Sequence, residues 1–102
     1  MQHLWIWSGK YFGYRDGDTL RTYRGYHIGY FVGDDAFGLD GRYMGEMNDD
    51  RLIVNPSKRN LRSGSVTRFV KNVALVKMVD YVGNVMLAGY EDFPSPEAFE
   101  NE

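Results

Sequence analysis

The sequence predicts an all-β fold made of short β-hairpins that repeat along one chain. Three observations support this: an internal repeat with a period of 16 residues, a composition of 16% aromatic residues with 12 glycines, and polar turn residues inside every repeat. A chain of 102 residues is long enough to bury one core but not two. We therefore predict a single domain.

The repeat is carried by pairs of glycines four residues apart, which occur at 9 and 13, at 25 and 29, and at 41 and 45. Other positions recur at the same interval. Residues at equivalent positions of the repeat form three columns. The apolar column consists of Phe12, Ile28 and Met44, and the ring column consists of Tyr11, His27 and Tyr43. The acidic turn column consists of Asp18, Asp34 and Asp50. Sixteen residues are too few for a helix pair and fit two short strands with two turns.

The units 9–24, 25–40 and 41–56 are each predicted to form one hairpin, with a strand of about five residues, a polar turn and a strand of about four. The apolar column is predicted to lie in the core, because alternate residues of a strand point to one face. Glycines 13, 29 and 45 interrupt the first strands. A glycine at such a position indicates that a neighbouring backbone or ring approaches closely.

The repeat decays after Pro56, and we interpret residues 57–90 as a diverged, enlarged fourth unit. Seven valines between 66 and 85 favour strands, so we predict two strands that are broken near Lys71 and Asn72. A helix from Ser65 is the alternative, because the polar residues follow neither clean period. Residues 94–102 form an acidic tail, in which Ser95 and Pro96 predict a capped helical turn. Disorder of the tail is the other alternative.

Residues 25–31, 39–47 and 50–55 carry a family resemblance. They resemble the four-fold beta flower family, whose members are small, mostly bacterial proteins with four hairpin petals around a pseudo-four-fold axis. The resemblance implies a shallow, flower-shaped barrel over residues 1–93. It also implies at most a binding role, by analogy with the similar tubby C-terminal domain, which is associated with lipid headgroups. A MORN-like β-meander is the alternative, because residues 42–47 look like its Tyr-x-Gly-Glu core.

No catalytic, metal or cofactor site is predicted. The absence of cysteine excludes disulfides, thiol catalysis and zinc sites with cysteine ligands. No serine lies in a Gly-x-Ser-x-Gly elbow, and the two histidines, His3 and His27, are not at metal-ligand spacing. A small hydrolase that uses turn carboxylates such as Asp34 and Asp35 ranks behind the binding functions.

The ring column supplies the candidate binding site. Repeats around an axis bring equivalent positions together, and this column combines rings with polar tips beside glycines that leave room. We expect a central funnel with two arginines at its mouth that offer charge to an anionic headgroup. The predicted ligand-binding residues are Tyr11, His27, Tyr43, Phe31, Met47, Arg59 and Arg62. Aromatic core packing is the alternative role of the ring column.

The predicted function is that of a non-enzymatic binding module for a lipid or other small amphipathic ligand. Alternatives are a protein partner or a homo-oligomer assembled through exposed petal edges. A net charge of -2 gives no general case for nucleic acid. Six cations lie between 58 and 77 without an acidic residue, and these indicate either anion binding or a solvated loop. No apolar run is long enough to span a membrane and no signal peptide is recognisable, so we expect a cytoplasmic protein.

Overall fold

Strands form wherever the repeat places aromatic and β-branched residues between two turns. The computed structural model describes residues 1–100, which contain eight strands and no α-helix. The strands, named in chain order, are β1 (Gln2–Ile6), β2 (Tyr11–Asp16), β3 (Thr19–Thr22), β4 (His27–Val32), β5 (Asp35–Gly38), β6 (Tyr43–Asn48), β7 (Arg51–Val54) and β8 (Glu91–Asp92). Each strand pairs with the next along the chain, and the all-β prediction is confirmed.

Three hairpins, β2–β3, β4–β5 and β6–β7, lie in the predicted units 9–24, 25–40 and 41–56. Their first strands begin at residues 11, 27 and 43, and their second strands at residues 19, 35 and 51. The connections between consecutive units also match: the pairing register shifts after Leu4, after Leu20 and after Ala36. Such irregularities increase the local twist, which helps a short sheet to curl closed.

The first strand closes the barrel. β1 pairs antiparallel with β2 and also parallel with β7, through Trp5 with Arg51 and Ile6 with Leu52. Leu4 stands 16 residues before Leu20, so β1 corresponds in the repeat to the second strand of a unit. The closed, flower-like barrel therefore has seven strands, and β8 extends the sheet beside β7.

The core is filled from successive strands. Leu4, Leu20, Ala36 and Leu52, which are 16 residues apart, are all fully buried. In the predicted apolar column, Phe12 and Ile28 are buried and Met44 is half-buried against the same cluster. The predicted close approaches also occur. A Cβ at position 13, 29 or 45 would overlap the backbone of the neighbouring strand, and at 45 it would also overlap the ring of Phe93.

The C-terminal residues complete the core. The ring of Phe93 is buried, and its centroid lies 5.3 Å from that of Phe12 in an edge-on arrangement. Pro96–Phe99 forms a 3₁₀ turn with proline in its first turn, as predicted, although the Ser95 side chain makes no capping hydrogen bond. Phe99 lies 5.8 Å from Phe12, so the tail covers part of the barrel rather than leaving it.

Residues 63–87 form an extended segment without helix or strand, which we call the strap. The strap runs past the turns between units in reverse order and donates backbone hydrogen bonds of 2.7–3.4 Å to two carbonyls at each turn. The amides of Ser63 and Val66 bond to Gly41 and Leu39, those of Asn72 and Leu75 to Gly25 and Tyr23, and those of Tyr81 and Asn84 to Gly9 and Trp7. Equivalent contacts are therefore nine residues apart along the strap and sixteen residues apart along the barrel.

The strap corrects the sequence-based prediction for this region. The two strands predicted within 66–79 are wrong, and the alternative helix from Ser65 is absent as well. The physical reason is the spacing of the bonded amides. A strand bonds every second residue to one neighbour, whereas the bonded strap amides are alternately three and six residues apart, which are multiples of the three-residue period of a polyproline II helix. Residues 57–90, which we interpreted as a diverged, enlarged fourth unit, contain no strand pair.

The strap docks on glycines 9, 25 and 41. All three have positive φ, between 85° and 109°, a region that L side chains rarely occupy. A Cβ on any of them would also overlap a strap carbonyl, namely that of Tyr81, Asn72 or Ser63. Glycine is therefore required here both for the turn and for the contact.

We expect Gly25→Ala to destabilise the protein more than Gly33→Ala. Both glycines have positive φ, of 95° and 61°, but no atom lies within 4 Å of a Cβ at position 33. The backbone cost of about 1–2 kcal/mol is shared by both variants. Gly25→Ala should lose about 1–3 kcal/mol more, because it also displaces strap hydrogen bonds. Urea denaturation measures the difference, and equal losses would contradict strap docking at this turn.

Candidate functional site

The three predicted ring-column residues are buried. Tyr11, His27 and Tyr43 are exposed by only 0%, 2% and 8%. The Tyr11 hydroxyl lies 2.8 Å from Nδ1 of His3. The backbone N–H of Tyr11 donates a hydrogen bond of 2.8 Å to Oδ1 of Asp80 in the strap. Burial raises the pKa of Tyr11 to about 12. Within residues 1–100, no ring contact joins the three to one another, so each belongs to its own unit.

His27 is covered by the strap. Its Nδ1 accepts a hydrogen bond from the backbone N–H of Phe69 at 2.8 Å, and the two rings stack with centroids 4.6 Å apart. Burial lowers the pKa of His27, and the nearby positive charges of Arg21 and Arg68 lower it further. Because Nδ1 accepts a hydrogen bond, the imidazole is neutral and holds the strap to the start of β4.

Tyr43 belongs to a polar network beside β6. Its hydroxyl donates to Oε1 of Glu46 at 2.9 Å and accepts from the backbone N–H of Asn55 at 3.0 Å. Burial raises the pKa of Tyr43 to about 12. The Lys58 ammonium lies 3.1 Å from carboxylate oxygens of both Glu46 and Asp35, and hydrogen bonds to these two groups raise the pKa of Lys58. The network ties the chain after β7 to two hairpins.

Phe31 and Met47 are brought together by Arg15. The Arg15 guanidinium lies 4.4 Å from the centroid of the Phe31 ring, and its Nη1 lies 3.8 Å from the sulfur of Met47. Phe31 is buried and Met47 is half-buried. Both side chains pack against the core, and Arg15 covers them on their solvent side.

Arg59 and Arg62 are neighbours on the surface. Arg62 donates to the backbone carbonyl of Arg59 at 2.9 Å, and Arg59 pairs with Glu91 at 2.6 Å. The rest of the basic stretch is dispersed over the molecule. Lys58 joins the network described above, and the Lys71 ammonium lies over the ring of Tyr26 at 4.7 Å. Among residues 1–100, no hydrogen bond joins the side chain of Arg59 or Arg62 to Tyr11, His27 or Tyr43, and the backbone of Arg62 bridges to that of Arg42, next to Tyr43.

The strap carries a surface that sequence reasoning missed. Valine occupies every third position from 70 to 85, and the six side chains are 86–91% exposed. They are Val70, Val73, Val76, Val79, Val82 and Val85, which we call the valine row. The carbonyls of the same residues face the barrel in four cases: Val70 accepts from Arg21, Val79 from Trp5, Val82 from Arg51 and Val85 from Trp7. The backbone therefore anchors the strap while these side chains point outward.

A cleft lies where the strap and the tail pass the connection between β5 and β6. It encloses about 500 Å³ and is lined by apolar and charged side chains. The lining includes Ile28, Met44, Phe99, Tyr43, Arg42 and Arg68. Tyr43 is the single predicted site residue in the lining. The cleft is therefore a different site from the predicted funnel.

The comparisons with known proteins give no assignment. Neither a scan against family models nor searches of curated proteins and solved structures return a match. In residues 1–100, no group of three or more histidine, cysteine, aspartate or glutamate side chains is placed to hold a metal ion. Over the same residues, no helix has the length and apolar character needed to cross a membrane.

We expect strap docking to weaken as the pH falls below about 6.5. The folded protein lowers the pKa of His27, whereas the unfolded chain has the ordinary value of 6.5. The unfolded chain therefore binds a proton that the folded protein does not, so stability is lost as the pH falls through this range. Urea midpoints at pH 7.5 and 5.5 measure the loss, and His27→Asn should reduce it. An equal loss in His27→Asn would assign the pH dependence to other groups.

Proposed function

We propose that this protein is a non-enzymatic assembly module that pairs with a second copy of itself through the valine row. The observation that carries the proposal is the exposure of 86–91% at six consecutive valine positions of the strap. Soluble monomers seldom present contiguous apolar patches above a few hundred Å², and larger ones mark interaction sites.

The size of the valine row suits a homodimer. Burial of a valine side chain contributes about 1.5–3 kcal/mol. At about 25 cal/mol per Å² of buried apolar surface, this contribution corresponds to roughly 60–120 Å² of surface for each valine. Six valines therefore present roughly 400–700 Å². A standard interface buries about 800 Å² on each partner, so the row supplies roughly half to nine-tenths of what one partner needs.

The chemistry of the valine row favours a second copy over a membrane. A two-fold interface needs a self-complementary patch, and a row of identical branched apolar side chains meets an equal row without an unpaired charge. Interfacial membrane segments instead combine Trp, Phe or Leu with many cations. Between Val70 and Val85 the strap has only two cations, Lys71 and Lys77, and Lys71 is already over the ring of Tyr26.

The family relationship and the cellular location are parts of the same proposal. Three hairpins with identical spacing in a closed barrel support membership of the four-fold beta flower family. A cytoplasmic location remains a prediction from the sequence. An assembly role agrees with the sequence-based alternative of a homo-oligomer, although the contact runs through the strap instead of through petal edges.

Charged substitutions in the valine row should weaken self-association. We expect Val76→Asp combined with Val79→Asp to weaken dimerisation at least about tenfold, because two apolar contacts are replaced by desolvated charges. The fold should persist, since both side chains point to solvent. Sedimentation velocity over a concentration series measures the effect.

The matched control is Val32→Asp, which changes another exposed valine at the end of β4, outside the strap. It should dimerise like the wild type. A wild-type chain that remains monomeric at every concentration would contradict the proposal. Equal association of the double variant would contradict it as well.

A further inference from the structure

The cleft beside the connection between β5 and β6 has an apolar floor that comes from three parts of the chain. Ile28 belongs to β4, Met44 to β6 and Phe99 to the tail. Met44 and Phe99 are only half-buried, so apolar surface remains open to a ligand. The volume of about 500 Å³ lies within the range of small-molecule sites.

A departure from the repeat creates this space. Position 38 ends the second strand of its hairpin, and the equivalent residues of the other two hairpins are Thr22 and Val54. Both of these side chains are buried. Gly38 has no side chain, and it lines the cleft. The first and third hairpins therefore fill this position with a branched side chain, and the second hairpin leaves it open.

The residue four positions later differs in the same sense. At the junction between the first and second hairpins, Tyr26 packs against the core cluster. The equivalent residue at the cleft is Arg42, whose side chain is 71% exposed. The junction beside the cleft therefore lacks both the branched side chain of position 22 and the tyrosine ring of position 26.

The backbone does not require glycine at position 38. Unlike Gly25, Gly38 does not have a positive φ. The nearest atoms to a Cβ on Gly38 would be side-chain atoms of Asp40 and Met44, at 3.0 and 3.2 Å, whereas at Gly25 they are backbone atoms of the strap. A glycine inside a strand lowers its stability and marks the close approach of a ligand or of another backbone. Because the nearest atoms here belong to side chains, this glycine indicates a ligand.

The rim of the cleft carries an ion pair that favours a neutral ligand. One carboxylate oxygen of Asp40 lies 3.5 Å from Nε of Arg42, and the other accepts the backbone N–H of Arg42 at 3.0 Å. An anionic ligand would have to compete with Asp40 for Arg42. A neutral ring can instead lie on the flat face of the guanidinium while the edge of that group stays paired. The sulfur of Met44 also makes favourable contacts with aromatic rings.

We propose that this cleft binds a neutral aromatic molecule, whose ring lies beside Gly38, between Met44 and Phe99. The site does not depend on self-association, because no member of the valine row lines it. It also differs from the funnel predicted from the sequence, since Tyr43 alone of the predicted ligand-binding residues contributes to the lining.

Isothermal titration calorimetry with 2-naphthol, which is neutral at neutral pH, tests the site in the full chain. We expect one 2-naphthol to bind per chain. Decahydro-2-naphthol has the same skeleton without the planar rings and should bind about tenfold more weakly, because it cannot stack on the guanidinium or the Phe99 ring. Naphthalene-2-sulfonate carries a negative charge on the same rings and should not bind more tightly than 2-naphthol.

Gly38→Val tests the open position directly, because it introduces the residue of the third hairpin. We expect binding to weaken at least about tenfold, since the added side chain takes up space that the ring needs. Gly64→Val is the matched control: Gly64 has no positive φ, a Cβ there would meet no atom within 4 Å, and it does not line the cleft. It should bind 2-naphthol like the wild type. Circular dichroism and urea midpoints verify that both variants fold.

Arg42→Ala is a second test that leaves the core unchanged. Loss of the stacked guanidinium should weaken binding about three- to fivefold. Arg59→Ala is its control, because Arg59 is also exposed and pairs with one carboxylate. Affinity should be unchanged in Arg59→Ala and in Val76→Asp, so that this site is tested independently of assembly.

Four results would overturn the proposal. They are the absence of saturable binding of 2-naphthol, equal binding of decahydro-2-naphthol, tighter binding of naphthalene-2-sulfonate, and wild-type affinity in a folded Gly38→Val variant. If Gly38→Val does not fold, wild-type affinity in Arg42→Ala decides against the proposal in its place.

Discussion

The docking of the strap on three glycine turns is the constraint on which most of the structure depends. At each turn, two carbonyls of the barrel accept amides of the strap. These contacts require glycine at 9, 25 and 41, because any side chain would overlap the strap backbone. The glycines of the repeat are thus required for a contact with a distant part of the chain as well as for a local turn. Ser57 stands where a fourth glycine would fall, and the strap begins its contacts only after that point.

Anchoring by backbone explains why the strap can expose apolar side chains. One set of strap residues, which includes Asn72 and Leu75, donates backbone amides to the barrel. A second set, the valine row, directs backbone carbonyls to the barrel, as at Val79 and Val85. In a segment with a period of three, the side chains of this second set can therefore face solvent. Besides the backbone hydrogen bonds, two rings of the strap pack on the barrel: Tyr81 stacks on Trp5 with centroids 3.8 Å apart, and Phe69 stacks on His27. The protein therefore presents a valine surface at a cost that a functional contact would offset.

The barrel could be predicted from the sequence because its signals are local. Each hairpin is specified by signals that lie within its own 16 residues: a pair of glycines, an acidic turn and alternating apolar residues. Its two strands are neighbours in the sequence and pair with each other. The strap could not be predicted, because its apolar residues follow neither the period of 2 that indicates a strand nor the period of 3.6 that indicates a helix. The signal was nevertheless present, as valine at every third position from 70 to 85. The role of β1 was also missed, although Leu4 fits the repeat of Leu20. The predicted site residues lie under the strap, in the core or on the surface, and the cleft depends on long-range contacts of the strap and the tail.

Hydrogen exchange of the strap amides tests the central claim most directly, because a three-residue alternation of protection is specific to this docking. The account predicts slow exchange at Asn72, Leu75, Tyr81 and Asn84, whose amides bond to the barrel, and fast exchange at Val73 and Val76, which lie between them. NMR spectroscopy resolves these amides individually. Uniformly fast exchange over 63–87, or protection at every second residue as in a strand, would contradict the account.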